Sequence, residues 1–338
     1  IFALILTAFT DPQHNLFFTA LFVSLLAFFS ATQDILIDAF RIESAPQSQQ
    51  GPLSSMYIAG YRIAMLIAGA GSLWLAAFFG NETYDQDVWK KVYLIMSLFM
   101  LIGIFTTIYS KEPRIKKKFN KDNHFKFFLT ILFAVLGFII LYSIIDNPYG
   151  KNDILLSFIF SIARLISCFI FGFFVIYFLI IFNFVSKEKI SISYLSPITN
   201  FLKRYGKFAF FILLLISLYR IADVVMGVMA NIFYLEKGYK IAEIATFSKF
   251  FGVFATIVGG FIGGYCSYKF GTMKALFFGA LIAAMSNLLF AWLATSPTSI
   301  NFLIAVITAD NISSGFAGAA FVIYLSGLTS IKFTATQY

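Results

Sequence analysis

The sequence predicts an all-α fold, a polytopic transmembrane helical bundle. Of its 338 residues, 60% are hydrophobic and 12% are charged, with a mean hydropathy of +0.86. Soluble domains carry about 45–50% apolar and about 25% charged residues. Apolar stretches of about 20 residues recur along the whole chain, the length a helix needs to cross a bilayer. The alternating segments of about ten residues that build transmembrane barrels are absent.

Taken in order, residues 1–9 read as the end of one span. Further spans fall near 16–40, 55–79, 92–109, 125–145, 154–183, 208–232, 244–268, 275–294 and 300–328. The loops between them alternate in charge. "KEPRIKKKFNKDNHFK" (111–126) holds seven Lys/Arg, "SKEKISISYLSPITNFLKRYGK" (186–207) holds five and "YKFGTMK" (268–274) holds two. The intervening loops are shorter and neutral or acidic: "TDPQHN", "GNETYDQD", "DNPYGKND", "YLEKGYK" and "TSPTS". The positive-inside rule then places 41–54, 111–126, 186–207, 268–274 and the C-terminal turn with Lys332 in the cytoplasm. The net charge of +9 is an orientation signal on this reading, and no nucleic-acid partner is expected. The chain starts at Ile1 inside an apolar run and ends just after a polar turn, and reads as a fragment of a longer protein. Cys168 and Cys266 fall in apolar spans and read as buried small hydrophobes, with no disulfide or metal site. The 45 Phe residues suit lipid-facing packing and call for no cofactor.

Small residues spaced by four mark two helix faces built for close approach: Gly60, Ala64, Ala68 and Ser72, and Gly252, Thr256, Gly260 and Gly264. Their positions before and after the basic middle region suggest paired halves.

Charges inside apolar spans are costly, by about 2.5–3.5 kcal/mol on insertion scales, and face partners or water. In "SATQDILIDAF" Ser30, Asp34, Asp38 and Arg41 share one helix face, with Gln33 at its edge. Either this stripe lines a water-filled path, or Asp38 and Arg41 form a surface bridge at a cytoplasmic helix end. Arg62 in "GYRIAML" either pairs with an Asp across the helix gap or snorkels to the nearby surface. Arg220 and Asp223 in "LYRIADVVMGVMAN" are i and i+3, with Gly227 and Asn231 on the same side. They form either a self-neutralising pair or part of a substrate or proton site. Asp310 and Asn311 in "TADNISSGFAGAA" sit mid-span among small residues, and Asp310 is the most isolated carboxylate. Arg164 and Lys249 are weaker candidates.

There is no G-x-x-x-x-G-K-[ST] loop for ATP and no metal-ligand cluster. The two histidines, His14 and His124, lie in loops, and neither begins a His-x4-Asp acyltransferase motif. No catalytic constellation stands out, so the chain does not read as an enzyme. "GYCSYKFGTMK" supplies Gly264, Lys269, Gly271 and Lys274 in a degraded match to the G-x-x-x-D-R-x-G-R-[RK] loop of major facilitator transporters.

Together, "SATQDILIDAFRIE", "GYRIAML", "LYRIAD", "ATIVGGFIGG" and "FTATQY" resemble the AmpG-type muropeptide permeases of the major facilitator superfamily. The resemblance implies a twelve-helix core in two six-helix halves. It also implies proton-driven import of anhydro-muropeptides across the bacterial inner membrane. On that frame the chain runs from helix 3 to the start of helix 11. Residues 1–110 close the N-terminal half, 111–207 hold cytoplasmic loops and an inserted transmembrane hairpin (124–183), and 208–338 open the C-terminal half. Proton coupling would fall to Asp34, Asp38, Asp223 and Asp310. Solute binding would fall to Gln33, Arg62, Arg220, Asn231 and Asn311, with Arg41, Gly60, Ala64, Gly260, Gly264 and Lys269 in gating and packing. The expected partners are an anionic glycopeptide, protons and the bilayer, with the protein a monomer. Eukaryotic acetyl-CoA transporters share the Q-D-x-x-x-D pattern, so another bulky anion is an alternative. An intramembrane enzyme and a transporter-derived sensor are the readings from other classes.

Overall fold

The computed structural model describes residues 1–80, 84–113, 124–149 and 153–338. The basic stretch 114–123 and residues 81–83 and 150–152 lie outside the described residues, as do the side chains of His124, Lys189, Lys249 and Lys332. The described chain is helical, with no strand among the described residues. Nine of its helices are long and apolar enough to cross a membrane, among the described residues.

Helix α1 (Phe2–Ala8) precedes α2 (Leu16–Ser44), which starts where the Asn15 side chain accepts from the Phe18 amide. It stops at extended Ala45, because Pro46 disfavours a helical residue before it. Helix α3 (Gln47–Phe79) carries a π turn at Ile67–Gly71. Helix α4 (Gln86–Tyr109) is capped by Asp85, whose side chain accepts from the Asp87 amide. Helices α5 (His124–Ile144) and α6 (Ile154–Ile181) pack against each other, the latter capped by Asp153. A short amphipathic helix α7 (Ser196–Tyr205) follows, where sequence reasoning expects only a loop. Then come α8 (Phe208–Glu236), α9 (Thr246–Phe270), α10 (Thr272–Thr295), α11 (Ile300–Leu328) and the short α12 (Thr334–Gln337). Gly271 turns the chain from α9 into α10 at φ +90°, a conformation that costs a residue with a Cβ more than it costs glycine.

The chain forms two compact units: Ile1–Ile115 with Phe208–Tyr338, and Lys116–Lys207. In the first, α9, α10 and α11 pack as one group, and α3 packs on α9 and α11. Close approach depends on glycine. A Cβ on Gly259 would strike the backbone of Ile312, one on Gly263 that of Phe316, and one on Gly315 the carbonyl of Thr256. Farther along, Tyr234, Phe290, Leu293, Leu303 and Val306 form a buried apolar cluster.

In the second unit the hairpin is held by Asn147, which donates to the Ser157 carbonyl and hydroxyl at 3.1 and 2.9 Å. Arg164 lies over the Tyr142 ring, 3.7 Å from its centroid, and donates to the Tyr142 carbonyl. Cys168 is buried in α6 with its thiol free; Cys266 is also free but only partly buried, because it sits at the edge of the Ala275, Leu276 and Ala320 cluster.

Candidate functional site

Three elements of the first unit bring intramembrane charges to one cavity of about 330 Å³. Helix α3 contributes Arg62. Helix α8 contributes Asp223, Gly227 and Asn231, spaced by four on one face. Helix α11 contributes Asp310, Asn311 and Ser314, and Ser248 faces in from the start of α9. Sequence reasoning reads 208–232 as one unbroken span, but α8 is interrupted at Arg220, whose φ of −103° and ψ of 0° leave the helical region. "LYRIAD" holds no Pro or Gly, so nothing local signals this break. It sets Arg220 Nη1 3.2 Å from Asp223 Oδ2, and a Cβ on Gly318 of α11 would lie 3.3 Å from the same nitrogen.

Arg220 and Asp223 therefore neutralise each other at the cavity wall. Arg62 lines the same cavity and makes no ion pair among the described residues. Asn311 is fixed by its neighbours: its Nδ2 donates to the Ile307 carbonyl at 2.8 Å, and its Oδ1 accepts from Thr256 Oγ1 at 3.1 Å. Gly252 makes room for it, since a Cβ there would lie 3.0 Å from Nδ2.

Below the cavity, α3 meets α9 directly. Gly51 and Ser55 pack on Gly264, Ile58 lies on Gly260, and Ser55 Oγ donates to the Gly260 carbonyl at 3.0 Å. At this end Arg41 ties several segments together, and only 5% of it is exposed. Its Nη1 donates to Gln50 Oε1 at 3.2 Å, Ser54 Oγ at 3.2 Å and Ser326 Oγ at 3.0 Å. Its Nη2 donates to Asp38 Oδ1 at 3.3 Å. The guanidinium also sits 5.3 and 5.2 Å from the ring centroids of Tyr57 and Tyr338. Gln50 Nε2 in turn donates to the carbonyls of Arg41, Ile42 and Ala45. Thr334 Oγ1 donates to Glu43, and burial pushes the Tyr338 hydroxyl up to about 12, keeping it protonated. The Asp38–Arg41 pair is thus the centre of a buried seam between α2, α3, α11 and the C-terminal turn. The alternative of a surface bridge does not hold.

Several expected placements differ. Asp34 is exposed and makes no ion pair with Arg62 among the described residues. Gln33 is also exposed and lines a separate, mostly apolar hollow between α2 and α4, so it does not join the solute candidates. Gly60 and Ala64 are exposed, and a Cβ on Gly60 would meet nothing within 4 Å. The contact of α3 with the α9 glycines is made earlier on the helix, at Gly51, Ser55 and Ile58, while Arg62 and Met65 beside Gly60 and Ala64 line the cavity. Lys269 is exposed beside the Tyr265 and Phe270 rings of its own helix, 5.8 and 5.4 Å away. Gly260 and Gly264 do sit at a helix contact, whereas Gly259 and Gly263, on the neighbouring face, carry the contact with α11.

The family model described as Major Facilitator Superfamily matches residues 1–336. The chain belongs to the major facilitator superfamily. Within it, the chain is similar to "Putative transporter AmpG 4" of Rickettsia conorii, 29% identical over 99% of this chain and 65% of the relative. The protein of the same name from Rickettsia felis is also 29% identical, over 99% of this chain and 64% of the relative. "Putative transporter AmpG 3" of Rickettsia prowazekii is 28% identical, over 97% of this chain and 62% of the relative. The chain spans less than two thirds of the length of these curated relatives. As a major facilitator chain it is a multi-pass membrane protein of a transporter family.

Sequence reasoning missed Ser248, Ser314, Gln50, Ser54 and Ser326. Uncharged Ser248, Ser314 and Ser326 stand out less from an apolar run than a charge does, and Gln50 and Ser54 fall in the stretch 41–54 that the charge pattern reads as a loop.

Proposed function

We propose that this chain is the core of a proton-coupled importer of bulky anionic solutes, with anhydro-muropeptides as the substrate class, in a bacterial inner membrane. The observation that carries the reading is Arg62. It is a guanidinium without a carboxylate partner among the described residues, facing a cavity whose other cation is already paired. A half-buried cation without a counter-charge has lost part of its hydration, and an anionic guest offsets that loss with charge-assisted hydrogen bonds. The names of the Rickettsia relatives support the AmpG reading.

The seam around Arg41 closes the end that carries 41–54 and 268–274, which the charge pattern assigns to the cytoplasm. On this reading the structure is an outward-facing state, and import requires the seam to part. Asp310 and Asp223 are the proton candidates that share the cavity with Arg62. A carboxylate that exchanges a proton as the guest arrives couples the two fluxes.

The test is uptake of labelled anhydro-muropeptide by vesicles carrying the full-length protein, with and without an inward pH gradient. Accumulation only with the gradient, lost in Arg62→Gln and partly kept in Arg62→Lys, supports the reading. Uptake that ignores the gradient sinks the coupling. Uptake of acetyl-CoA in place of muropeptide would transfer the same geometry to another bulky anion.

A further inference from the structure

The segment between the hairpin and α8 carries a surface that transport leaves unused. From Lys187 the chain is helical through a π turn at Ser191–Leu195 into α7. Pro197 sits in the first turn of α7, and Gly206, at φ +52°, ends it. The side chains sort by face. Tyr194 stacks on Phe127 of α5, with ring centroids 5.8 Å apart and planes at 22°, and Pro197 is buried. Just upstream, Phe184 packs edge-on against Phe133 of α5. These contacts hold the segment at the end of the hairpin where α5 begins and α6 ends.

An aliphatic stripe is open. Ile192, Leu195, Ile198 and Leu202 recur every three or four residues and are 54%, 56%, 57% and 46% exposed. Lys187, Lys203 and Lys207 are exposed beside them. Residues 186–207 carry five Lys/Arg against one acid, Glu188. The segment is also pinned at both ends, because α6 stops at Ile181 and α8 starts at Phe208.

We propose that the segment Lys187–Lys207, helical to Tyr205, lies in the membrane interface with anionic phospholipid of the cytoplasmic leaflet as its partner. A helix tethered to two spans cannot leave the membrane surface, so its aliphatic stripe lies within reach of the acyl boundary. Its excess of lysines matches the negative potential of anionic headgroups. Apolar insertion and phosphate attraction act on neighbouring faces of the same helix, and each reinforces the other. The stripe alone would suit any bilayer. The lysines give preference for anionic lipid.

The test uses the full chain with Cys168→Ser, Cys266→Ser and Ile198→Cys, labelled with a fluorophore at 198. It is reconstituted in vesicles of phosphatidylcholine, or of phosphatidylcholine mixed with phosphatidylglycerol, each containing a lipid-borne shallow quencher. We expect quenching in both and deeper quenching with phosphatidylglycerol, the added part vanishing at high salt. Each lysine near an anionic surface weighs about fivefold in partitioning. Lys187→Gln, Lys203→Gln and Lys207→Gln together should therefore cut the phosphatidylglycerol preference on the order of 100-fold. The matching triple Lys→Arg variant should keep it, which separates loss of charge from loss of fold. No quenching at 198 in either lipid would overturn the proposal, because the stripe would then be covered by protein. Equal quenching in both lipids, unchanged in the Gln triple, would overturn the anionic-lipid assignment.

Discussion

Replacing Arg41 with Gln should open the seam without unfolding the protein. Arg41 is 5% exposed and Asp38 15%, and the substitution removes their ion pair together with the donors to Gln50, Ser54 and Ser326. Removing one partner of a buried pair costs about 3–5 kcal/mol. Asp38 keeps some water and Gln can restore one hydrogen bond, so about 2–3 kcal/mol is the expected loss. That shifts the closed-to-open ratio by roughly 30- to 150-fold. Arg41→Lys should fall between, because an ammonium cannot span Asp38 and Ser326 as the guanidinium fork does. The reporter is Ile323→Cys in a background with both native cysteines replaced by Ser. Ile323 is 2% exposed, and its carbonyl accepts from Gln47 across the seam. Its maleimide labelling rate in membranes should rise by the stated factor in Arg41→Gln. A second reporter, Leu303→Cys, sits at 0% exposure in the apolar cluster away from the seam and should stay unlabelled. Unchanged labelling at 323, or equal gains at 323 and 303, would refute the reasoning: the first denies a clasp, and the second means global loosening.

Three further outcomes follow from the geometry. Asp310→Asn should abolish gradient-driven accumulation while leaving counterflow, whereas Asp34→Asn, exposed and outside the Arg62 cavity, should keep both; the reverse pattern, measured in one set of vesicles, would return the proton to Asp34. Gly315→Val should lower the thermal midpoint in detergent by an amount worth at least about 1–3 kcal/mol, since its side chain meets the Thr256 carbonyl, whereas Gly60→Ala should be neutral or slightly stabilising. Single cysteines at 111 and 149 should report opposite faces on intact cells, with only 149 reached by an impermeant thiol reagent; labelling at 111 alone would invert the topology.

The apolar spans are legible from residues alone, because hydropathy is a local property summed over one helix at a time. So is the singling out of Arg62, Arg220, Asp223 and Asp310, since the insertion cost of a charge does not depend on the fold. The Asp38–Arg41 pair was legible too, as i and i+3 on one helix. The tertiary structure alone decided that this pair is buried, because its other partners lie as far away in the chain as Ser326 and Tyr338. It decided which small residues matter, for two four-spaced stripes look alike until a second helix meets one of them. Gly264 found Gly51 and Ser55, and Gly60 found open space. It decided, too, the break at Arg220 and the exposure of Asp34. Neither follows from the residues beside them, because both depend on which distant helices pack against each position, and that is set by long-range contacts.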